Sequence, residues 1–344
     1  MGAFPMAPLS VVHLLPELES GGVEDHVVAL ANRQVQDGMS VAVCSNGGRL
    51  ERRLRPEISA IHLPIHRKNI AVGLRCAASL AKQAKTAGWQ LFHAHSRVPA
   101  WVAYFASKMS GLPWVATVHA AYSKNAGLWP YRRAGGAICV SQAMASWMEG
   151  RLPKRVAVIY NGIDVSGSWE WKNRDRRRNL LFLGRLTKLK GLETLLEGLA
   201  GLSQYDWKLD VAGEGPQSSA LKDLVRRLNL DGRVSFLGFR NDTERLLSLC
   251  DLLVAPSLSE GMGLSVALAA RLGTPILASD IPAFRELSRP EGYLVPAGNC
   301  EAWRQALEDY FKGAGKISLF SEKSFRTVEQ MTDDVSSFYR SIVS

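Results

Sequence analysis

Short runs of apolar, β-branched and aromatic residues alternate along the chain with longer stretches whose apolar positions recur at helical spacing. That alternation predicts parallel sheets with crossover helices, because a parallel pair needs a connection long enough to return the chain to the same end of the sheet. In the first half the runs predict strands at residues 10–15, 40–44, 90–93, 113–118, 137–140 and 156–160, and helices over 23–36, 72–87, 99–110 and 142–150. Gly38, Gly88, Gly111 and Gly150 stand where helices would close. A polar stretch at 166–178, ending in the charge run 172–178, precedes a fresh strand pattern at 179–184. The second half repeats the rhythm, with strands at 180–183, 208–212, 234–237, 252–255, 275–278 and 293–295, a helix over 302–312 and a terminal helix over 321–342. The restart sets the expected domains: 1–165, 166–320, and a terminal helical segment 321–344 crossing back to the first. The fold class expected is α/β, two Rossmann-like domains whose parallel sheets face an interdomain cleft, since open parallel sheets bind ligands outside the carboxyl ends of their strands.

A length of 344 residues suits two such domains, and 47% hydrophobic with 22% charged residues is ordinary for a globular protein. No uncharged apolar run reaches the roughly 18 residues of a membrane span, which excludes a membrane-embedded helical protein. The first residues lack a basic leader and a long apolar core, so a cytoplasmic location is expected. The five cysteines are scattered, without a C-x-x-C pair, and read as reduced packing residues. The net charge of +10 is lopsided: 18 Lys and Arg against 9 Asp and Glu in residues 1–165, and 24 against 23 thereafter. Such a basic half suits nucleic acid, anionic lipid or an acidic substrate, and equally a solvated surface of arbitrary sign. With no nucleic-acid module signature beside it, no nucleic-acid partner is expected.

Three segments carry candidate chemistry. Gly21-Gly22-Val23-Glu24 follows the first strand and opens a helix, where glycines admit a ligand close to the backbone and free amides favour an anion; a tight turn with no ligand fits equally. In Gly184-Arg185-Leu186-Thr187-Lys188-Leu189-Lys190-Gly191, two cations, Arg185 and Lys190, stand at a strand end beside an electropositive helix start. A diphosphate between them would relieve their repulsion, and two solvated loop cations are the plainer alternative. In the third, Ser259 to Ser279, Gly261 and Gly263 open a helix beginning at Leu264 and closed by Gly273, with Glu260 just ahead of it. An acidic side chain beside an anion site suits sugar hydroxyls rather than phosphate.

These segments, with Val211-Ala212-Gly213-Glu214-Gly215-Pro216, Phe236-Leu237-Gly238-Phe239 and Asn161-Gly162-Ile163-Asp164, resemble the family 4 retaining glycosyltransferases of GT-B fold. The resemblance implies a nucleotide-sugar donor held mainly by the C-terminal domain, an acceptor on the N-terminal domain, and neither cofactor nor metal. It implies that Arg185 and Lys190 grip the diphosphate, that Gly263 and Leu264 offer amides beside it, and that Glu260 holds donor-sugar hydroxyls. By the same likeness Gly21 and Gly22 form the loop at the reaction centre, and His119 matches the family's cleft-lining histidine. On the residues alone, a histidine at a strand end is as often a structural hydrogen bonder. Segments 95–101 and 117–122 are similar to those of bacterial lipopolysaccharide-core members. That likeness implies a cell-envelope glycan or glycolipid acceptor and, with the basic first half, peripheral contact with the anionic face of the inner membrane.

The sequence departs from the family pattern at Leu268, where a second Glu usually binds the nucleotide ribose, and at Ala120, where Gly commonly follows the histidine. Leu268 lies in the apolar run Val266-Ala267-Leu268-Ala269-Ala270 and reads as packed. It leaves open a catalytically silent protein that binds sugar nucleotides or partners a transferase. A sugar-nucleotide epimerase lacks distinctive support, and an NAD enzyme is disfavoured because Gly213-Glu214-Gly215-Pro216-Gln217-Ser218 fails the dinucleotide fingerprint.

Overall fold

The apolar runs of the first half become strands buried on both faces, the pattern imposed when helices cover a parallel sheet on either side. The computed structural model describes residues 9–169, 171, 179–320 and 325–344. The charge run 172–178 and the expected first turn of the terminal helix at 321–324 lie outside these residues. The chain divides into two units, Ile163–Phe325 and the remainder, the latter rejoined by Arg326–Ser344.

In chain order the first unit carries β1 (Ser10–Leu14), α1 (Gly22–Gln36), β2 (Ser40–Ser45), β3 (Ser59–His62), α2 (Ile70–Ala87), β4 (Leu91–Ala94), α3 (Arg97–Ser110), β5 (Trp114–Val118), β6 (Gly136–Cys139), α4 (Gln142–Trp147) and β7 (Val156–Val158). All pairs are parallel, in the order β3-β2-β1-β4-β5-β6-β7. The sheet thus starts at its middle, winds one way to β3, and returns to wind the other way from β4. Sequence pattern did not predict β3, whose Ser59, Ala60 and His62 are exposed at the sheet edge and form no apolar run.

The second unit carries β8 (Asn179–Leu183), α5 (Leu192–Ala200), β9 (Lys208–Ala212), α6 (Ser218–Arg227), β10 (Val234–Gly238), α7 (Thr243–Leu249), β11 (Leu252–Ala255), α8 (Leu264–Leu272), β12 (Ile276–Asp280), α9 (Pro282–Leu287), β13 (Val295–Pro296) and α10 (Cys300–Phe311). Its sheet has the same plan, β10-β9-β8-β11-β12-β13. Trp207 and Trp303 are buried with Phe182, Leu195, Leu199 and Leu209 in one core. The loops that follow β8 and β9 touch backbone to backbone: Leu186 N–H donates to the Glu214 carbonyl at 2.9 Å, and Gln217 N–H to that of Leu186 at 3.0 Å. Gly213, at φ 146°, permits this, because a Cβ there would stand 2.0 Å from the Gly184 carbonyl oxygen.

The last helix, α11 (Val328–Val343), belongs to the first unit. A capping box, in which Thr327 and Gln330 satisfy each other's backbone amides, starts it at 328. Met331, Val335 and Tyr339 are buried beneath it, and Arg33 of α1 pairs with Glu329 at 2.6 Å. Four cysteines are buried, but Cys300 is exposed at the first position of α10, contrary to its expected role in packing.

Candidate functional site

In each unit the winding direction reverses between the two central strands, and the connections that leave them pass to opposite faces. The crevice left at their carboxyl ends is where this topology accepts ligands. In the second unit that point lies between β8 and β11, and the candidate residues of this unit fall on the two loops and the helix start there. Leu258 N–H donates to the Leu189 carbonyl at 2.8 Å, tying the loops together. Arg185 is exposed and makes no ion pair among the described residues. Lys190, on a single 3₁₀ turn, places Nζ 2.6 Å from Glu260 Oε1, and Ser257 Oγ donates to the same oxygen at 2.7 Å. Only 10% of the Glu260 side chain is exposed, so its charge is held by these two donors rather than by bulk water.

Gly263 precedes α8 at φ 88°, and a Cβ there would lie 2.4 Å from Cε1 of the buried Phe284 ring. No side chain caps α8, which leaves the first amides, from Leu264 onward, without a side-chain acceptor. Leu268 differs from its expected place in the core. Val266, Ala267, Ala269 and Leu272 form the buried face of α8, whereas Leu268 is half-buried one turn from the equally half-buried Leu264.

The first unit's reversal lies between β1 and β4. Gly21 ends the loop after β1 and Gly22 is the first residue of α1. The anion reading of this helix start is weakened by its own first turn, which carries Glu24 and Asp25; a Cβ on Gly21 would lie 2.6 Å from Glu24 Oε2. His119, directly after β5, is buried and belongs to a cluster that sequence reasoning missed. Register sets His13 of β1 abreast of His93 of β4, and the period of two brings His95 and His119 onto the same face. His13 Nδ1 lies 2.9 Å from His95 Nε2, and His95 Nδ1 lies 3.0 Å from His119 Nε2. Gln34 of α1 accepts from His13 Nε2 at 2.7 Å, and His93 bridges the Tyr339 hydroxyl and Thr117 Oγ1. His26 of α1 stands with its ring centroid 4.8 Å from that of His119. The available signal was spacing: His93-x-His95, and histidines at three other strand or helix starts and ends, each innocuous alone.

Ring nitrogens of His13, His93 and His95, and of His26, His95 and His119, lie within 4.8 Å of one another, near enough for a metal ion. An ion would have to break the direct imidazole contacts at 2.9 and 3.0 Å, because those nitrogens already share protons with each other.

Residues 20–166 match the family model described as Glycosyltransferase Family 4, and residues 177–312 match the one described as Glycosyl transferases group 1. The O-antigen biosynthesis glycosyltransferase WclY of Escherichia coli is 34% identical over 139 residues, 38% of this chain and 39% of that protein. The chain spans about two fifths of the length of the first such relatives, each matched over 39% of itself. A longer match, 27% identical over 324 residues and 83% of each chain, joins it to the phosphatidyl-myo-inositol mannosyltransferase of Mycobacterium leprae. The solved structure of Anabaena Alr3699/HepE in complex with UDP and glucose superposes with a TM-score of 0.79 at 21% identity, covering 97% of this chain and 100% of that one, a likeness of fold. With both units matched and the same two-sheet plan, the fold is GT-B. Glycosyltransferase family models thus match a segment in each unit, and the chain is similar to glycosyltransferases over most of its length.

The histidine cluster has a consequence for stability. Burial holds His13 down to about 4 and His26 to about 3, and burial with mutual repulsion holds His93, His95 and His119 well below the usual range. All five are neutral at pH 7. In the unfolded chain they accept protons near pH 6.5, so the native state loses stability as pH falls from about 6.5 toward those lowered values. Near pH 5.5 unfolding should take up about four to five protons from this cluster, a slope of roughly 6 kcal/mol per pH unit. Melting temperatures measured from pH 7.5 to 5 should therefore fall steeply below pH 6.5, and a flat profile would contradict the neutral cluster.

Proposed function

We propose that the chain is a retaining glycosyltransferase that moves a sugar from a nucleotide donor to a cell-envelope glycan or glycolipid. The observation that carries this reading is the pairing of Lys190 with Glu260 beside the unpaired Arg185 at the switch point of the second unit. A diphosphate would give Arg185 an anion and take the place of Glu260 beside Lys190, releasing Glu260 to accept hydrogen bonds from sugar hydroxyls. The uncapped amides from Leu264 onward add donors for the same phosphates. No side chain here is placed as a strong base, which fits transfer in which the bond from the anomeric carbon to the phosphate oxygen breaks as the bond to the acceptor oxygen forms. The acceptor proton then passes to the departing diphosphate on the same face of the sugar, while the protein positions reactants and stabilises charge. In the first unit His119 is the group assigned to a substrate hydroxyl, beside the loop of Gly21 and Gly22.

An envelope acceptor is supported by the O-antigen relative and by the cationic first unit, where Arg133 lies over Trp129 and Lys124 over Trp147, both rings substantially exposed. Cations over exposed indoles suit the interface of an anionic bilayer. No helix among the described residues is long and apolar enough to cross a membrane. Flotation with vesicles should show binding to acidic but not neutral lipid, lost as salt rises; equal behaviour of the two lipids would leave a solvated basic surface as the better account. A second reading, sugar-nucleotide binding without transfer, is favoured by Leu268 alone.

Calorimetry with nucleoside diphosphates and the matching nucleosides tests the donor site. Arg185→Ala should weaken diphosphate binding about ten- to a hundredfold and leave the nucleoside unaffected. Lys190→Ala should lose more, since it also leaves Glu260 uncompensated beside the phosphates, and Lys190→Ala with Glu260→Gln should recover part of that loss. Equal losses for diphosphate and nucleoside would refute the assignment.

Leu268→Glu separates the two readings. Because Leu268 is half-buried, a carboxylate there reaches water, and the melting temperature should hold within a few degrees. If the nucleotide lies as in the family, the new carboxylate should tighten donor binding about tenfold or more. Weaker binding with lowered melting would show a pocket built around the leucine.

A further inference from the structure

The first unit spends three imidazoles on a single line of hydrogen bonds. An amide oxygen only accepts, so the bond from His13 to Gln34 Oε1 at 2.7 Å puts the His13 proton on Nε2. A neutral imidazole has one donor and one acceptor, which leaves His13 Nδ1 to accept from His95 Nε2 at 2.9 Å. By the same rule His95 Nδ1 accepts from His119 Nε2 at 3.0 Å. The line ends at His119 Nδ1, which makes no hydrogen bond among the described residues and is not one of the sealed, unpaired atoms that include both nitrogens of His26. A proton added to His13 or His95 would set two N–H groups against each other across one of these short contacts, whereas His119 Nδ1 faces no N–H group of the chain.

We propose that Gln34, His13 and His95 form a hydrogen-bond chain of fixed direction that holds His119 as its neutral Nε2–H tautomer, presenting the Nδ1 lone pair to a substrate hydroxyl. Gln34, His13 and His95 are then positioning residues, and His119 is an acceptor rather than a cation or a donor. The consequence for substrate rests on the proposed transferase function: a hydroxyl that donates to His119 has its oxygen lone pairs free for other contacts. The direction of the chain itself does not depend on that function. It also explains why polar residues interrupt otherwise apolar buried strands. His13 lies within Ser10–Leu14 and His95 one residue beyond Leu91–Ala94, both fully buried.

Long-range proton–nitrogen correlation spectra of the full chain labelled with nitrogen-15 histidine read the tautomer of each ring directly. At pH 7 His13, His95 and His119 should each carry the proton on Nε2, with Nδ1 at the lone-pair position. Gln34→Leu removes the terminal acceptor, and an Nδ1–H population should then appear at all three rings together. His93, anchored separately by Tyr339 and Thr117, should keep its wild-type signals, which a general loosening of the core would not spare. Wild-type His119 protonated on Nδ1, or charged, overturns the proposal; so does a Gln34→Leu protein in which the three rings stay unchanged or respond independently. Should Gln34→Leu fail to fold, the wild-type spectrum alone decides. The expected tautomers in a protein that transfers no sugar would leave the chain standing and reject the transferase reading instead.

Discussion

The handedness of the crossover connections governs the rest of the molecule. A right-handed strand–helix–strand unit that starts at the centre of a sheet must place its helix on one face when winding left and on the other when winding right. Between β1 and β4, and again between β8 and β11, the two courses diverge and leave a crevice that no helix fills. The candidate site residues of each unit sit around such a point. In the second unit these are the cations after β8 and the carboxylate after β11, and in the first the histidines of β1, β4 and the end of β5. Neither set is close in sequence; both are made adjacent by the order of strands.

The two crevices meet their electrostatic cost differently. In the second unit Lys190 and Glu260 are a partly buried pair, a state that breaks cheaply only when another partner replaces one of them. On the proposed reading, a ligand carrying both an anion and hydroxyls would replace each partner in turn, so the ligand-free pair would favour such a molecule. The first unit contains no charge at its centre. Its imidazoles are kept neutral by burial and consume one another's hydrogen bonds, which leaves a rigid polar seam inside an apolar sheet.

Alternation of short apolar runs with helical stretches made the fold class legible, because the inner strands β1, β4, β5, β6 and β11 are buried on both faces and so read as nearly uninterrupted runs. The exceptions are physical. At the sheet edge β3 has exposed residues and no run, and Tyr293, expected in a strand, instead has its N–H bonded to Ile317 outside the sheet. Of the site, Arg185, Lys190 and Glu260 were visible as charges where strands end. Their mutual arrangement was not, since Lys190 and Glu260 are 70 residues apart. The histidine chain was hidden more deeply. His13 and His93 look like polar accidents in strands until the register sets them side by side, and Gln34 and Tyr339 come from helices at opposite ends of the sequence.

Leu268 acquires meaning from the charges around it. The loop after β8 carries Arg185, Lys188 and Lys190, set against the single carboxylate of Glu260 at the neighbouring strand end. A second carboxylate one helical turn beyond Leu264, which the family resemblance leads one to expect, would lower that local excess from two positive charges to one. With leucine in its place the full excess would face an incoming anion, an attraction that added salt would weaken. On the proposed donor reading, attraction for phosphate would therefore be stronger, while the hold on a ribose hydroxyl would be weaker by a charge-assisted bond. A site so built would distinguish its ligand chiefly by the diphosphate and the sugar, and would ask less of the nucleoside.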